Sequence, residues 1–414
     1  MLSIIITSSL TALAAATSQQ LLVAPYECPL NLLRQPECRS PTAVNRNISS
    51  EVFSSNHSSS SSSPWSFQGE CFSGTESEDG EQYCVFASQS FSDGRGISII
   101  TTPERARRLE KLPAFTDKAA MARINTMTPP FEERALPGRG FGIIANKTLY
   151  RGDPIFVNTP MLILDSDAYT NVEEDEMTYL QRAAVRHLPQ PLQDMFWALH
   201  HDGKMDPVKE RINLNAFEFD LDDEQHYIVN PEISRTNHDC RPNAVYFFDE
   251  DNLTQYVHAA TTITPGTEIT ITYINPLMKR DERFDQLAHT WGFNCSCSAC
   301  SLHPQISAES DSRLSQMDQI EDRLSENPTG SPQLAELLIS MTKQERLDAF
   351  MGTPYRLAAK AYCAEAQHWK TVEYARLALE YGLLDEGFDA ESTKDMRNLI
   401  KEPQKQSCWM SRLR

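Results

Sequence analysis

The sequence predicts an α+β fold, and three observations carry that prediction. Between residues 131 and 300, short apolar runs rich in β-branched residues are separated by turn signals. A helical stretch, acidic first and then amphipathic, is inserted among them at residues 172 to 200. After Cys300 the apolar residues recur at a spacing near 3.6. Short mixed strands with inserted helices and a helical region behind them are an α+β pattern. A chain of 414 residues holds two or three domains, at roughly 100–200 residues each.

From the N-terminus, MLSIIITSSLTALAAATSQQ is apolar and then small, and Ala14-Ala15-Ala16 offers an A-x-A cleavage site. Residues 1–16 are therefore read as a signal peptide, although the basic start of such a peptide is missing. Ser, Thr and Gln interrupt the run, so no membrane span is expected. Residues 17–105 form a Cys-containing, Ser-rich region, with an unbroken run from Ser58 to Ser63 that cannot bury a core and is expected to be disordered. Cys28, Cys38, Cys71 and Cys84 lie here, with three possible pairings if they are oxidised. Asn47 and Asn56 begin glycosylation sequons, and three more begin at Asn146, Asn252 and Asn294.

The strand-rich domain is assigned to residues 130–274, where GFGIIA, DPIFVN, MLILD, VYFF, QYVHAATTI and TEITITYI read as strands. Residues 275–304 are a cysteine-bearing extension. Residues 305–414 are a helical lobe in which YRLAAKAYCAEAQHWKTVEYARLALEYG reads as an antiparallel pair with small residues at the crossing. That pair resembles one tetratricopeptide unit, but one such unit cannot stand alone, so it is expected to pack on the preceding domain or dock a partner. The net charge of −19 argues against direct nucleic-acid binding, which needs a basic footprint. It suits a basic substrate, and equally plain solubility.

Four constellations carry chemistry. In Gly138-Arg139-Gly140-Phe141-Gly142, alternating glycines let the backbone turn tightly and approach a ligand. Asn237-His238-Asp239-Cys240-Arg241-Pro242-Asn243 gathers amide, imidazole and thiol groups on a loop. Gly266-Thr267-Glu268-Ile269-Thr270-Ile271-Thr272-Tyr273 is a turn feeding an alternating strand that ends in Tyr. Cys295, Cys297 and Cys300 follow Trp291-Gly292-Phe293-Asn294 and place three thiols within six residues, a zinc-ligand spacing that needs one more Cys.

In this order and spacing the four resemble one family, the SET-domain protein-lysine methyltransferases. NHDCRPN is similar to the family's NHSCxPN, with Asp239 replacing Ser, and GTEITITY to its GEELxxxY, with Thr267 replacing the first acid. The segment ITITYINPLMKRDERFDQLAHTWGFNCSCSAC is most similar to the SMYD-like branch, and Asn215-Ala216-Phe217 to that branch's Asn-Ser-Phe. No MYND zinc module is recognised in the chain.

The resemblance implies a SET fold of short mixed strands with a pseudoknot, an exception to the no-knot rule. It implies S-adenosylmethionine held by the backbone around Arg139, Gly140 and Phe141, by Asn237 and by the His238 main chain, with Asn215 beside it and Phe293 against its adenine or the lysine channel. It implies Tyr273 as the catalytic residue and as a cofactor contact, and a zinc site of Cys240, Cys295, Cys297 and Cys300 that locks the cofactor loop to the extension. The partner would be a protein presenting a lysine. The leading reading is therefore a protein-lysine methyltransferase. Its rivals are a non-catalytic module that keeps the fold, and a secreted disulfide protein. Zinc thiolates and S-adenosylmethionine point to cytosol or nucleus, whereas the leader and upstream cysteines point to the secretory path, so the compartment stays open.

Overall fold

The computed structural model describes residues 63–74, 81–221, 224–326 and 331–413, with the backbone of a two-stranded ribbon, β1 (Val23–Ala24) and β2 (Cys28–Pro29). The leader at residues 1–16, the sequons at Asn47 and Asn56, and the side chains of Cys28 and Cys38 lie outside the described residues, as does nearly all of the Ser58–Ser63 run.

Residues 67–101, grouped by the sequence reading with the N-terminal region, build three strands of the main sheet. These are β3 (Phe67–Ser73), β4 (Gln82–Ser88) and β5 (Ile97–Thr101). In ISIIT all five residues of β5 are buried, the pattern of a strand covered on both faces. A disulfide joins Cys71 to Cys84 across the paired strands β3 and β4. Short helices α1 (Phe91–Gly94), α2 (Pro103–Leu109), α3 (Pro113–Thr116) and α4 (Lys118–Met121) lead on from there.

The next strands are β6 (Phe131–Leu136), β7 (Gly140–Ala145), β8 (Pro154–Asn158) and β9 (Leu162–Asp165). After them come helices α5 (Ser166–Asn171), α6 (Glu174–Arg186), α7 (Gln190–Trp197) and α8 (Pro207–Asn215). Helix α6 buries Met177, Leu180, Ala184 and their neighbours on one face and packs on β4 and β5. The start of α8 is fixed by Pro207 in its first turn and by Asp206, whose carboxylate accepts from the amides of Val208 and Lys209.

The remaining strands are β10 (Ala216–Leu221), β11 (Glu224–Val229), β12 (Asn237–His238), β13 (Ala244–Asp249), β14 (Thr254–Ala259) and β15 (Glu268–Ile271). They form three small sheets, in the orders β10-β11-β9-β5-β4-β3, β12-β15-β7-β6 and β13-β14-β8. Two parallel pairings matter for the site. β5 lies parallel to β9, which ties residues 97–101 into the core. β12 lies parallel to β15, which sets Asn237 opposite Thr270 and His238 opposite Ile271. A buried carboxylate, Asp165, clasps the first sheet by accepting from Thr101 and Arg105, and Arg105 also pairs with Asp167 and Glu224.

Helix α9 (Arg280–Trp291) ends at Gly292, whose φ of +73° caps it in the left-handed region. Helices α10 (Pro304–Glu326), α11 (Pro332–Gln344), α12 (Gly352–Ala364), α13 (His368–Asp385) and α14 (Glu391–Lys401) form the lobe. Ala358, Ala361, Ala375 and Ala378 are buried in its core, the small residues that let α12 and α13 approach closely. A second disulfide, Cys363–Cys408, clips the C-terminal segment to α12, and the Met410 amide donates to the Cys363 carbonyl beside it at 3.2 Å. The lobe packs on β13 through α13, where Phe247 closes against Gly387. It also reaches the Asn237–Asn243 loop: buried Arg241 pairs at 2.8 Å with buried Glu345, which also accepts from Arg313 and Ser310. A carboxylate met by two guanidinium groups and a hydroxyl offsets its own desolvation.

Candidate active site and thiol cluster

The β6–β7 hairpin brings the first constellation to the site. Gly140 has a φ of +68°, a backbone that side-chain-bearing residues rarely adopt. Gly142 is constrained by space instead, because a Cβ there would lie 2.8 Å from both the Asn237 amide nitrogen and a Glu268 carboxylate oxygen. The close approach made by this glycine is thus to the protein's own Asn237.

Asn237 donates through Nδ2 to the Phe141 carbonyl at 3.1 Å and to Glu268 Oε1 at 2.8 Å. Arg139 pairs with the other Glu268 oxygen at 3.3 Å and donates to the His238 carbonyl at 3.0 Å. Glu268 therefore fixes the Gly-rich turn and the Asn237–His238 segment together. In the sequence it stands only as part of a strand, and its one signal is a lone carboxylate at the head of an otherwise uncharged run.

His238 joins the cavity to the thiols. Its Nδ1 accepts from the Tyr273 amide at 3.0 Å, so the ring proton sits on Nε2, which lies 3.2 Å from Cys240 Sγ. Burial pushes its pKa down to about 4, so the ring is neutral at pH 7. Cys240 Sγ is 4.0 Å from that of Cys295 and 3.6 Å from that of Cys300, and the four sulfurs, with Cys297, all lie within 4.8 Å of one another. A tetrahedral thiolate site with bonds of about 2.3 Å sets its sulfurs about 3.8 Å apart, so this donor set fits such an ion. Buried Arg283 lies beside it. Burial alone would lower its pKa, but the Cys240 and Cys300 sulfurs outweigh that and raise it. Asp239, the departure in this loop, accepts from the Arg241 amide at 2.8 Å, and burial pushes it up to about 6. Thr267, the other departure, lies against Thr264.

Tyr273 is half-buried among His238, Trp291 and Phe293, with ring centroids 5.3, 5.3 and 6.5 Å away. Its hydroxyl donates to the Thr236 carbonyl at 2.7 Å, and burial raises its pKa, so it stays protonated with its lone pairs free. Asn215, at the end of α8, donates to the carbonyls of His200 and Arg211 at 3.0 and 2.8 Å.

Two cavities meet here. One of about 620 Å³ is lined by the Gly138–Phe141 turn, Asn215, Asn237, His238 and Phe293. The other, of about 510 Å³, is lined by Tyr169, Phe217, Tyr227, Tyr246 and their neighbours. Leu214, Asn215, Ser234, Tyr273 and Trp291 line both. Every sequence-predicted residue of the cofactor set thus falls on the first cavity, and the four predicted ligand cysteines cluster beside it. The ring-lined cavity was not foreseen, since α5, β11 and β13 deliver Tyr169, Tyr227 and Tyr246 from separate parts of the chain.

Residues 140–274 match the SET domain family model. The chain is 27% identical over 278 residues to the histone-lysine N-methyltransferase set5 of Schizosaccharomyces pombe, covering 65% of this chain and 82% of that one. It is 35% identical over 103 residues to a SET and MYND domain-containing protein of Dictyostelium discoideum, covering 22% and 30%. It is 25% identical over 147 residues to the N-lysine methyltransferase SMYD2-A of Danio rerio, covering 34% and 32%. The chain spans less than a third of the length of the last two relatives.

Proposed function

We propose that this chain, which carries a SET domain similar to those of the SMYD-like lysine methyltransferases, moves a methyl group from S-adenosylmethionine to a lysine side chain of a protein. The observation that carries the reading is the meeting of two chemically different cavities at Tyr273. The larger one has the volume and the polar edge for a nucleoside with an amino-acid tail, and the ring-lined one suits an alkylamine.

When bound, S-adenosylmethionine supplies an electrophilic sulfonium methyl. The residues of the chain do the rest. Arg139, Gly140, Phe141, Asn237, His238, Asn215 and Phe293 line the cofactor side and would orient it. On the other side the lysine must arrive as a neutral amine. Deprotonation at pH 7 costs about 4–5 kcal/mol from a pKa near 10.4. The rings of Tyr227, Tyr246, Tyr273 and Trp291 lower that cost by excluding water from the ammonium form. The Tyr273 oxygen, its proton engaged by Thr236, offers lone pairs toward the meeting point, and its contacts with a methyl are individually weak. Alignment of amine, carbon and leaving group supplies most of the acceleration.

Cys240, Cys295, Cys297 and Cys300 would hold a structural zinc ion, whose chemistry is to fix coordinating sulfurs in place. His238 lies with Nε2 3.2 Å from the Cys240 sulfur while its Nδ1 accepts from the Tyr273 amide, so this one imidazole would link the ligand set to Tyr273. The test is radiolabelled methyl transfer to a cell extract by the full chain and by Tyr273→Phe, at equal zinc content. Label with wild type and its loss in the variant is the expected result. Label indifferent to Tyr273, or none, would favour a non-catalytic module.

We further propose that the chain travels the secretory path. Cys71–Cys84 and Cys363–Cys408 support this, because such bonds persist in oxidising compartments. Of the sequons in the described residues, Asn146 is exposed, Asn294 sits on the rim of the larger cavity, and Asn252 is 7% exposed and donates to Asp249. Intact-mass measurement of the native protein under non-reducing conditions checks the reading; four free thiols at these positions would overturn it.

A further inference from the structure

We propose that Glu218 is a specificity-determining residue that selects a lysine with a second cationic side chain close to it in the substrate; the proposal rests on the methyl-transfer reading above. Among the residues lining the 510 Å³ cavity, Glu218 alone carries a formal charge. The others are rings, aliphatic groups, hydroxyls and amides, whereas the larger cavity has Arg139, Arg235 and Asp202 on its walls. The substrate side is therefore neutral except for one carboxylate.

That carboxylate is exposed and makes no ion pair with any described residue. Among the described residues its one hydrogen bond comes from the Gln225 amide across the β10–β11 hairpin, a neutral donor that leaves the charge uncompensated. Nearby acids are neutralised differently: Arg105 is shared among Asp165, Asp167 and Glu224. Glu218 stands opposite Tyr227 in the hairpin register, and Tyr227 lines the same cavity. Its charge helps hold the Tyr227 and Tyr246 hydroxyls protonated, after burial as the main cause.

Position then decides which part of a substrate Glu218 meets. It sits on β10, the outermost strand of its sheet, whose outer edge has no partner strand among the described residues. A lysine reaching inward past Phe217 toward Tyr273 leaves its neighbours outside along that edge. Adjacent residues of an extended chain advance about 3.3 Å each, so a residue one or two places from the lysine lies within reach of Glu218. A carboxylate without a partner at that point favours a cation and repels an acid. A single, partly exposed pair of this kind is worth about twofold to fivefold in binding.

The test uses the full chain and synthetic peptides with one central lysine flanked by Arg, Ala or Glu, and reads kcat/KM by labelled methyl transfer. Wild type is expected to favour Arg-flanked over Glu-flanked peptides, with the preference shrinking at high salt. Glu218→Gln should erase the preference, and Glu218→Arg should invert it, a swap that a merely structural role would not produce. Equal rates for all three peptides in wild type, or a preference that survives Glu218→Arg, would overturn the proposal. If no peptide is methylated, the methyl-transfer reading fails separately. Fluorescence anisotropy of the same labelled peptides then decides this one: equal affinities overturn it, and an Arg preference that Glu218→Arg inverts supports it.

Discussion

The described cysteines fall into two regions that treat sulfur differently. Cys71–Cys84 and Cys363–Cys408 are isolated pairs, each closing one loop of the chain, 13 and 45 residues apart in sequence. Cys240, Cys295, Cys297 and Cys300 remain free thiols although every sulfur among them has three neighbours within 4.8 Å. Proximity alone therefore does not decide the chemistry. A lone pair needs only an oxidant, whereas four buried sulfurs beside a buried guanidinium, with an imidazole proton directed at one of them, form a setting that favours thiolates around a cation. The cluster borders the candidate site through Cys295, and neither pair lines its cavities.

The sharpest way to break that contrast is Cys240→Ser. It should abolish zinc content, measured by atomic absorption, and weaken S-adenosylmethionine binding by about 10–100-fold by calorimetry, because His238 loses the sulfur that orients it. Unchanged zinc would show that the cluster is not one ligand set. Cys363→Ser should leave zinc and cofactor affinity intact and cost about 4 kcal/mol of stability, from the chain entropy of its 45-residue loop, read as a lower denaturant midpoint. Cys71→Ser opens a shorter loop, of 13 residues, and should cost about 3 kcal/mol, again with zinc unaffected. A loss of metal in either disulfide variant would mean that the two regions are coupled.

The same cysteines show which parts of the molecule were legible in the sequence. Cys295, Cys297 and Cys300 declare themselves because ligands within one short segment must keep a fixed spacing. Cys240, 55 residues upstream of Cys295, carries no such local mark and only the resemblance points to it; its sulfur lies 4.0 Å from that of Cys295. Cys363 and Cys408 escaped notice because a tertiary bond between a helix and a terminal segment leaves no periodic trace. The helices of the lobe were plain from their 3.6 spacing, and α12 and α13 lie where the pair was read. The strands at residues 67–101 were not, because polar residues surround them and one of the two partners of β5 is β9, some sixty residues on. At the site, Gly140, Asn237 and Tyr273 were visible as motifs, but Glu268 and the three tyrosines of the second cavity act only through contacts that the fold creates.

The parallel seating of β12 on β15 has a consequence for synthesis on the ribosome. Asn237 and His238 emerge well before the strand they lie against, and the last cysteine follows only at position 300. A nascent chain stalled before Glu268 holds the Gly-rich turn without the carboxylate that ties it to Asn237. Domains generally mature from the N-terminus during translation. Here the candidate site is complete only once residue 300 has emerged, and a product that stops short of it lacks one of the four clustered sulfurs.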